Sequence, residues 1–85
     1  MEKIILGVSI DLRSDAASEV QNVLTKHGCI IRTRIGLHQQ NENMCSEKGI
    51  ILLELNNDCG DKCRQLESDL SSIKSVLVRE MEFDM

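Results

Sequence analysis

The chain has 85 residues, enough for one small domain over residues 1–85; a domain of that size buries only about 60–65% of its unfolded surface, so self-association is an available source of stability. Fourteen acidic against ten basic side chains give a net charge of −4, with no Lys/Arg cluster, no Trp or Tyr and Phe83 as the single aromatic; direct nucleic-acid binding and an aromatic-caged cofactor are excluded as expectations. Gly7, Ser9 and Asp11 interrupt the apolar character of the first segment, so neither a leader core nor a membrane span is expected, and the cytoplasm is the expected location.

The first predicted element is a strand over Ile4 to Leu12. Ile4, Leu6, Val8, Ile10 and Leu12 share one face, the one expected to meet helices; Ile5, Gly7, Ser9 and Asp11 share the other. A helix follows over Ser14 to His27. Ser14 is placed to cap it, Asp15 favours its first turn, and Gly28 is expected to end it in a left-handed conformation. Ala16, Ala17, Val20, Val23, Leu24 and His27 form its apolar stripe, and His27 is expected to interact with the carbonyl end of the helix.

A second strand runs from Cys29 to Leu37. Strict alternation puts Cys29, Ile31, Thr33, Ile35 and Leu37 on one face and Ile30, Arg32, Arg34, Gly36 and His38 on the other. The amide-rich and charged segment Gln39 to Lys48 has no periodicity and reads as a mobile loop. The third strand, Gly49 to Leu55, is apolar on both faces, with Ile51, Leu53 and Leu55 on one and Ile50 and Leu52 on the other; both must be covered. Asn56, Asn57 and Asp58 are N-cap candidates for a second helix over Asp58 to Ile73, where Cys59, Cys63, Leu66, Leu70 and Ile73 form one stripe. The last strand, Val76 to Phe83, carries Val76, Val78, Glu80 and Glu82 against Leu77, Arg79, Met81 and Phe83, and its register is open.

The element order therefore predicts an α+β ferredoxin-like βαββαβ sandwich: a four-stranded antiparallel sheet in the order 4-1-3-2 with two helices on one face, because two right-handed βαβ halves interleave that way. The remaining face carries Ile5, Ile30, Ile50 and Leu52, a patch large enough to require cover, and a homo-oligomer, dimer or tetramer, is expected through it.

The opening strand with Arg13, the helix end Val20-Gln21-Asn22-Val23-Leu24-Thr25-Lys26-His27-Gly28 and the stretch Ile31-Arg32-Thr33-Arg34-Ile35-Gly36-Leu37 together resemble the small iron-only hydrogenase system regulators. Those are ACT-like domains, related in fold to the ligand-binding domain of the nickel-responsive repressor. The resemblance implies a cytoplasmic, oligomeric, non-catalytic regulatory protein of the hydrogenase system. It also implies that the strand edge around Gly36 lies near a subunit interface and lines a pocket for a small-molecule effector. Arg32, Arg34, Gly36 and His38 are thus the candidate ligand-binding residues. The two guanidinium groups are suited to a carboxylate or phosphate, or else to pairing with Glu54 or Glu80 across the sheet or with another subunit.

The four cysteines, Cys29, Cys45, Cys59 and Cys63, are expected as free thiols on the compartment argument, the last two reduced and buried in the helix stripe. His38 and Cys45 bracket the loop and Cys59 and Cys63 lie one turn apart, but none has a recognised metal-ligand spacing; no cofactor and no metal are expected. No nucleophile–base arrangement or phosphate-binding glycine loop occurs, so a non-enzyme is expected. Two other readings stay open: a structural module that docks a protein partner, and a metal-binding accessory protein.

Overall fold

The computed structural model describes the backbone at residues 2–11, 15–40 and 45–84, and side chains at all of these except 37–40 and 45–48. The elements are β1 (Glu2–Asp11), α1 (Ala16–Lys26), a 3-10 turn (Gly28–Ile30), β2 (Ile31–Gln40), β3 (Cys45–Leu55), α2 (Asp61–Ser71) and β4 (Leu77–Asp84). Four antiparallel strands lie in the order β2-β3-β1-β4, the order expected from interleaved right-handed crossovers. β2 and β4 are the sheet edges.

Both helices cover one face. Leu6, Val8 and Ile10 of β1 and Leu53 and Leu55 of β3 are buried in one cluster with Val20 and Leu24 of α1 and Cys63, Leu66 and Leu70 of α2. Each helix presents its apolar stripe because those positions recur at three and four residues, and the strands meet it with alternate residues. The stripe Cys59, Cys63, Leu66, Leu70 and Ile73 is buried throughout. The ladder settles the register of β4: Val78 stands opposite Val8 and Glu80 opposite Leu6. Val76 and Val78 therefore face the core while Leu77, Met81 and Phe83 face away.

Several local expectations are corrected. Ser14 and Leu12 fall outside the described residues. Asp15, expected inside the first turn, is the N-cap residue of α1; its side chain makes no capping hydrogen bond, and its carbonyl accepts from Glu19 N–H at 3.2 Å. Gly28 is not left-handed: the chain leaves α1 through a 3-10 turn in which Ile30 N–H donates to His27 O at 3.1 Å, so no reversal of φ is needed. None of Asn56, Asn57 or Asp58 caps α2. Its N-cap is Gly60, at φ +54° and ψ −125°, a backbone conformation open to glycine, and the helix starts only after it. Asn56 instead ties the chain leaving β3 to the 3-10 turn, its N–H donating to Ile30 O at 2.8 Å and its Nδ2 to Cys29 O at 3.1 Å.

The segment expected as an open loop, Gln39 to Lys48, is shorter than anticipated. Residues 41–44 lie outside the described residues, but the β2–β3 ladder continues through His38 opposite Gly49 and Gln40 opposite Cys45. Backbone pairing needs no apolar side chains, so an absence of hydrophobic periodicity does not exclude a ladder.

The largest correction is a bulge in β2. Ile31 pairs with Leu55 while Thr33 pairs with Glu54, a shift that leaves Arg32 as the extra residue. A bulge reverses the faces of all that follows it. Arg34 and Gly36 consequently stand opposite Leu53 and Ile51, on the helix side, while Ile35 stands opposite Leu52 on the uncovered side. Ile30, expected on the uncovered face, is 6% exposed and belongs to the core, because the 3-10 turn folds it beneath the helices before the strand begins.

Candidate functional site

Three surfaces carry chemistry. The first is the uncovered sheet face. Among the described residues every exposed large hydrophobic lies on it: Ile35 at 50%, Ile50 at 40%, Leu77 at 59%, Met81 at 49% and Phe83 at 46% exposure. Their ladder partners Leu52, Ser9, Ile5 and Lys3 place them on that face. Of the residues expected there, Ile5 and Leu52 are half-buried and Ile50 is exposed. Gly7 and Ser9 floor a hollow of about 260 Å³ between Ile50 of β3 and Leu77 and Arg79 of β4. A Cβ at Gly7 would lie 3.8 Å from Leu52 Cδ2, an ordinary contact, so the glycine deepens the hollow without being demanded by crowding.

One end of this face is polar. Glu54 accepts from Lys3 Nζ at 2.8 Å and from Thr33 Oγ1 at 2.7 Å, joining β1, β2 and β3. The Lys3 hydrogen bond, then that of Thr33, holds the Glu54 carboxyl below its usual range. The sequence pattern had offered Glu54 to Arg32 or Arg34. The bulge gives it to Thr33 and turns Arg34 to the other side.

The second surface is the free edge of β2. Arg32, Arg34 and Gly36 are exposed, and neither arginine forms an ion pair with another described side chain. Glu80 is out of their reach, since β2 and β4 are opposite edges. A Cβ at Gly36 would meet nothing within 4 Å, and the register shifts fall on either side of it, so within one chain it is neither a close approach nor a bulge. The side chain of His38 lies outside the described residues, as does that of Cys45.

The third surface is a cavity of about 720 Å³ between the start of α2 and the β1/β4 side of the sheet, lined by Ile4, Cys59, Cys63, Arg64, Glu67 and Glu80 among others. Its carboxylates crowd one another. A hydrogen bond with Glu67 raises the pKa of Glu80, and one with Glu82 raises that of Glu2. Cys59 and Cys63, expected as separate thiols, are joined in a disulfide. Their burial is as expected, at 7% and 4% exposure. The bond is within reach because Cys59 precedes the helix and the turn at Gly60 brings the Cα atoms to 5.4 Å, inside the range of about 4.4–6.8 Å that disulfides span. A compartment argument does not see that local geometry. Closing so short a loop contributes about 2 kcal/mol by chain entropy, against about 4.7 for a 100-residue loop, so it acts as a local restraint. Cys29 is free and exposed.

Sequence reasoning also placed His27 differently. Its Nε2 donates to Asp69 Oδ2 at 2.7 Å, and Gln65 Nε2 donates to Asp69 Oδ1 at 2.8 Å. The His27 bond, then that of Gln65, lowers the pKa of Asp69. The His27 side chain thereby clasps the end of α1 to α2, while its backbone N–H closes the helix on Val23 O at 3.0 Å. Among the described residues no group of three or more His, Cys, Asp or Glu side chains is disposed to hold a metal ion, and no helix is long and apolar enough to cross a membrane.

The fold is ACT-like and ferredoxin-like. Structures similar to it include an uncharacterized protein from Thermotoga maritima, at 24% identity and TM-score 0.72, covering 99% of this chain and 100% of that one. The ACT domain of a GTP pyrophosphokinase from Chlorobium tepidum matches at 15% identity and TM-score 0.68, covering 93% and 96%. A nitrogen regulatory PII-like protein from Thiomonas intermedia K12 matches in its apo form at 10% identity and TM-score 0.59, covering 100% and 92%. A structure of the same protein bound to ADP, AMP and bicarbonate matches at 9% identity and TM-score 0.51, covering 100% and 96%. No family model and no curated protein sequence matches the chain.

Proposed function

We propose that this protein is a non-catalytic regulatory domain that works as a homo-oligomer assembled through the uncovered sheet face, with a small anionic effector held at the free edge of β2. One observation carries the assembly: all the exposed large hydrophobics among the described residues gather on a single face. The occupant is a second copy. The face combines ridges at Ile50 and Leu77 with the hollow over Gly7 and Ser9, so a ridge of one chain fits the hollow of the other in a two-fold arrangement. Its acidic Glu54 is already paired with Lys3, and the cationic Arg79 at the hollow is exposed, so a two-fold contact has to keep that guanidinium solvated at its rim. At about 25 cal/mol per Å² of apolar burial, covering these side chains contributes several kcal/mol before the entropy of association is subtracted.

The effector reading rests on the two exposed guanidinium groups of Arg32 and Arg34, whose donor forks suit a carboxylate or phosphate. The nucleotide- and bicarbonate-bound PII-like structure supports an anion as the ligand class. The tie to the iron-only hydrogenase system is part of this proposal and rests on the resemblance of the Arg34–Leu37 region; hydrogenase maturation genes beside this one would support it.

Sedimentation of Met81→Asp at micromolar concentration tests the assembly. Wild type is expected to sediment as a dimer or larger and the folded variant as a monomer. A monomeric wild type, or a variant that assembles as well as wild type, overturns the reading. Thermal shift with ADP, AMP and bicarbonate tests the effector: stabilisation lost in Arg32→Ala/Arg34→Ala supports it. Absence of any shift leaves a structural docking module as the better description.

A further inference from the structure

We propose that Cys59 and Cys63 are a reversible dithiol–disulfide pair, a redox modification site that sets the form of the cavity at the start of α2. The proposal is independent of the sheet-face assembly.

Both redox states fit the fold. As a disulfide, the pair needs only the 5.4 Å Cα separation that the Gly60 turn provides. As thiols, both side chains stay in the stripe with Leu66, Leu70 and Ile73, where a reduced cysteine behaves as a small hydrophobe. Interconversion therefore exposes no new core surface. Access is also provided. Leu66 and Leu70 on the same stripe are fully buried, yet the two cysteines, themselves nearly buried, form part of the wall of the 720 Å³ cavity, which gives an external thiol a route to the sulfurs.

The segment they bridge is weakly restrained otherwise. α2 has no side-chain cap, and its entry is held by three backbone bonds: Cys59 N–H donates to Asn56 O at 3.3 Å, Lys62 N–H to Cys59 O at 3.0 Å and Cys63 N–H to Gly60 O at 3.2 Å. Gly60, at φ +54°, stands between the two sulfurs as the residue able to absorb a backbone change. Breaking the tether loosens the turn at Gly60 that shapes the cavity wall, with both thiols still on the stripe and the rest of α2 packed.

The chemistry is thiol–disulfide exchange with a small thiol. Its thiolate attacks one sulfur of the pair, the S–S bond breaks, and the displaced sulfur leaves as a thiolate that takes a proton. A second thiol resolves the mixed disulfide, so two electrons pass from two small thiols, which leave as their disulfide. The reverse reaction uses a small-molecule disulfide as oxidant. Asp61, Glu67 and Glu80 beside the pair give the cavity an acidic lining, partly offset by Arg64. An anionic thiol such as glutathione is therefore repelled and a cationic one such as cysteamine attracted, both effects weakening with salt.

The test uses the full chain with Cys29→Ser and Cys45→Ser, so that only this pair responds. Folded protein equilibrated with glutathione disulfide, then with dithiothreitol, is alkylated and weighed by mass spectrometry. No alkylation in the first state, two alkyl groups in the second and full reversal are expected. Amide exchange at Lys62 and Cys63 is expected to be about tenfold faster in the reduced form. Added salt should speed reduction by glutathione and slow reduction by cysteamine. Two alkylated thiols after oxidative equilibration, or reduction only in denaturant, would overturn the switch. Equal exchange in the two forms would overturn its effect on the cavity, and equal salt responses its acidic gate. Cys63→Ser should hold exchange at Lys62 at the reduced rate; if it does not fold, the comparison on the intact pair still decides.

Discussion

The two faces of the sheet are built from the same strands and both carry large aliphatic side chains, yet the fates of those side chains differ. On the helix side Leu6, Val8 and Leu53 are wholly inaccessible; on the other side Ile35 and Leu77 keep half or more of their surface. The hydrophobicity of the individual side chain does not separate Leu53 from Leu77. What does is the handedness of the two crossovers, which sends α1 and α2 to one side and leaves the other without helices. Apolar residues of the core should therefore report on stability and, under the proposed assembly, those of the uncovered face on self-association.

The sharpest way to break that contrast is to truncate one residue on each side of β3. Leu53→Ala should cost about 2–5 kcal/mol in chemical unfolding, because Leu53 is fully enclosed and leaves a cavity. Ile50→Ala, 40% exposed, should cost well under that in a monomeric background; equal losses would mean the faces are not distinct. Next in size is the assembly itself. Leu77→Asp, at the most exposed of these positions, should abolish concentration-dependent sedimentation while shifting the unfolding midpoint of the monomer little, since only the dimer would bury an unpaired charge. A stable, assembled Leu77→Asp protein would move the interface elsewhere.

A smaller loss is expected from His27→Ala, which removes the clasp to Asp69; a lower urea midpoint without change in assembly is the readout. The smallest effect is on pH dependence, and its signs are opposed. The pKa values of Glu2 and Glu80 are raised on folding, so their protonation favours the folded state, and stability should rise as pH falls through their folded pKa values, above the ordinary 4.5. Those of Glu54 and Asp69 are lowered; the stability they contribute is present above their unfolded values and is lost as pH falls through the lower folded ones, below 3.8 for Asp69. Glu80→Gln should flatten the first limb and Asp69→Asn the second. An unchanged profile in either variant would assign that limb to other groups.

Much of this architecture was legible in the chain. The order of periodic segments gave strand order, helix side and the core faces of β1, β3 and both helices, because period-2 and period-3.6 patterns are local consequences of backbone geometry. Ile5, Ile50 and Leu52 were placed on the uncovered face by the same alternation. The failures came where one residue breaks the period. The bulge at Arg32 reversed the rest of β2, so Ile35 came to the uncovered face and Arg34 left it, while the 3-10 turn ahead of the strand had already put Ile30 in the core. No composition signal marks that bulge, since Arg is an ordinary strand-edge residue. Leu77, Met81 and Phe83 were missed as face residues because both alternations of β4 mix apolar and charged residues, and only pairing with β1 chose between them.

By itself the sequence determined the elements, their order and the positions able to be buried, since each depends on residues near one another along the chain. The tertiary structure alone decided which alternative register holds, which carboxylate meets which partner, and that Cys59 and Cys63 come within bonding reach. Those outcomes depend on the ladder offset between strands and on the turn at Gly60, where a shift of one residue moves a side chain to the opposite face and no local preference opposes the change.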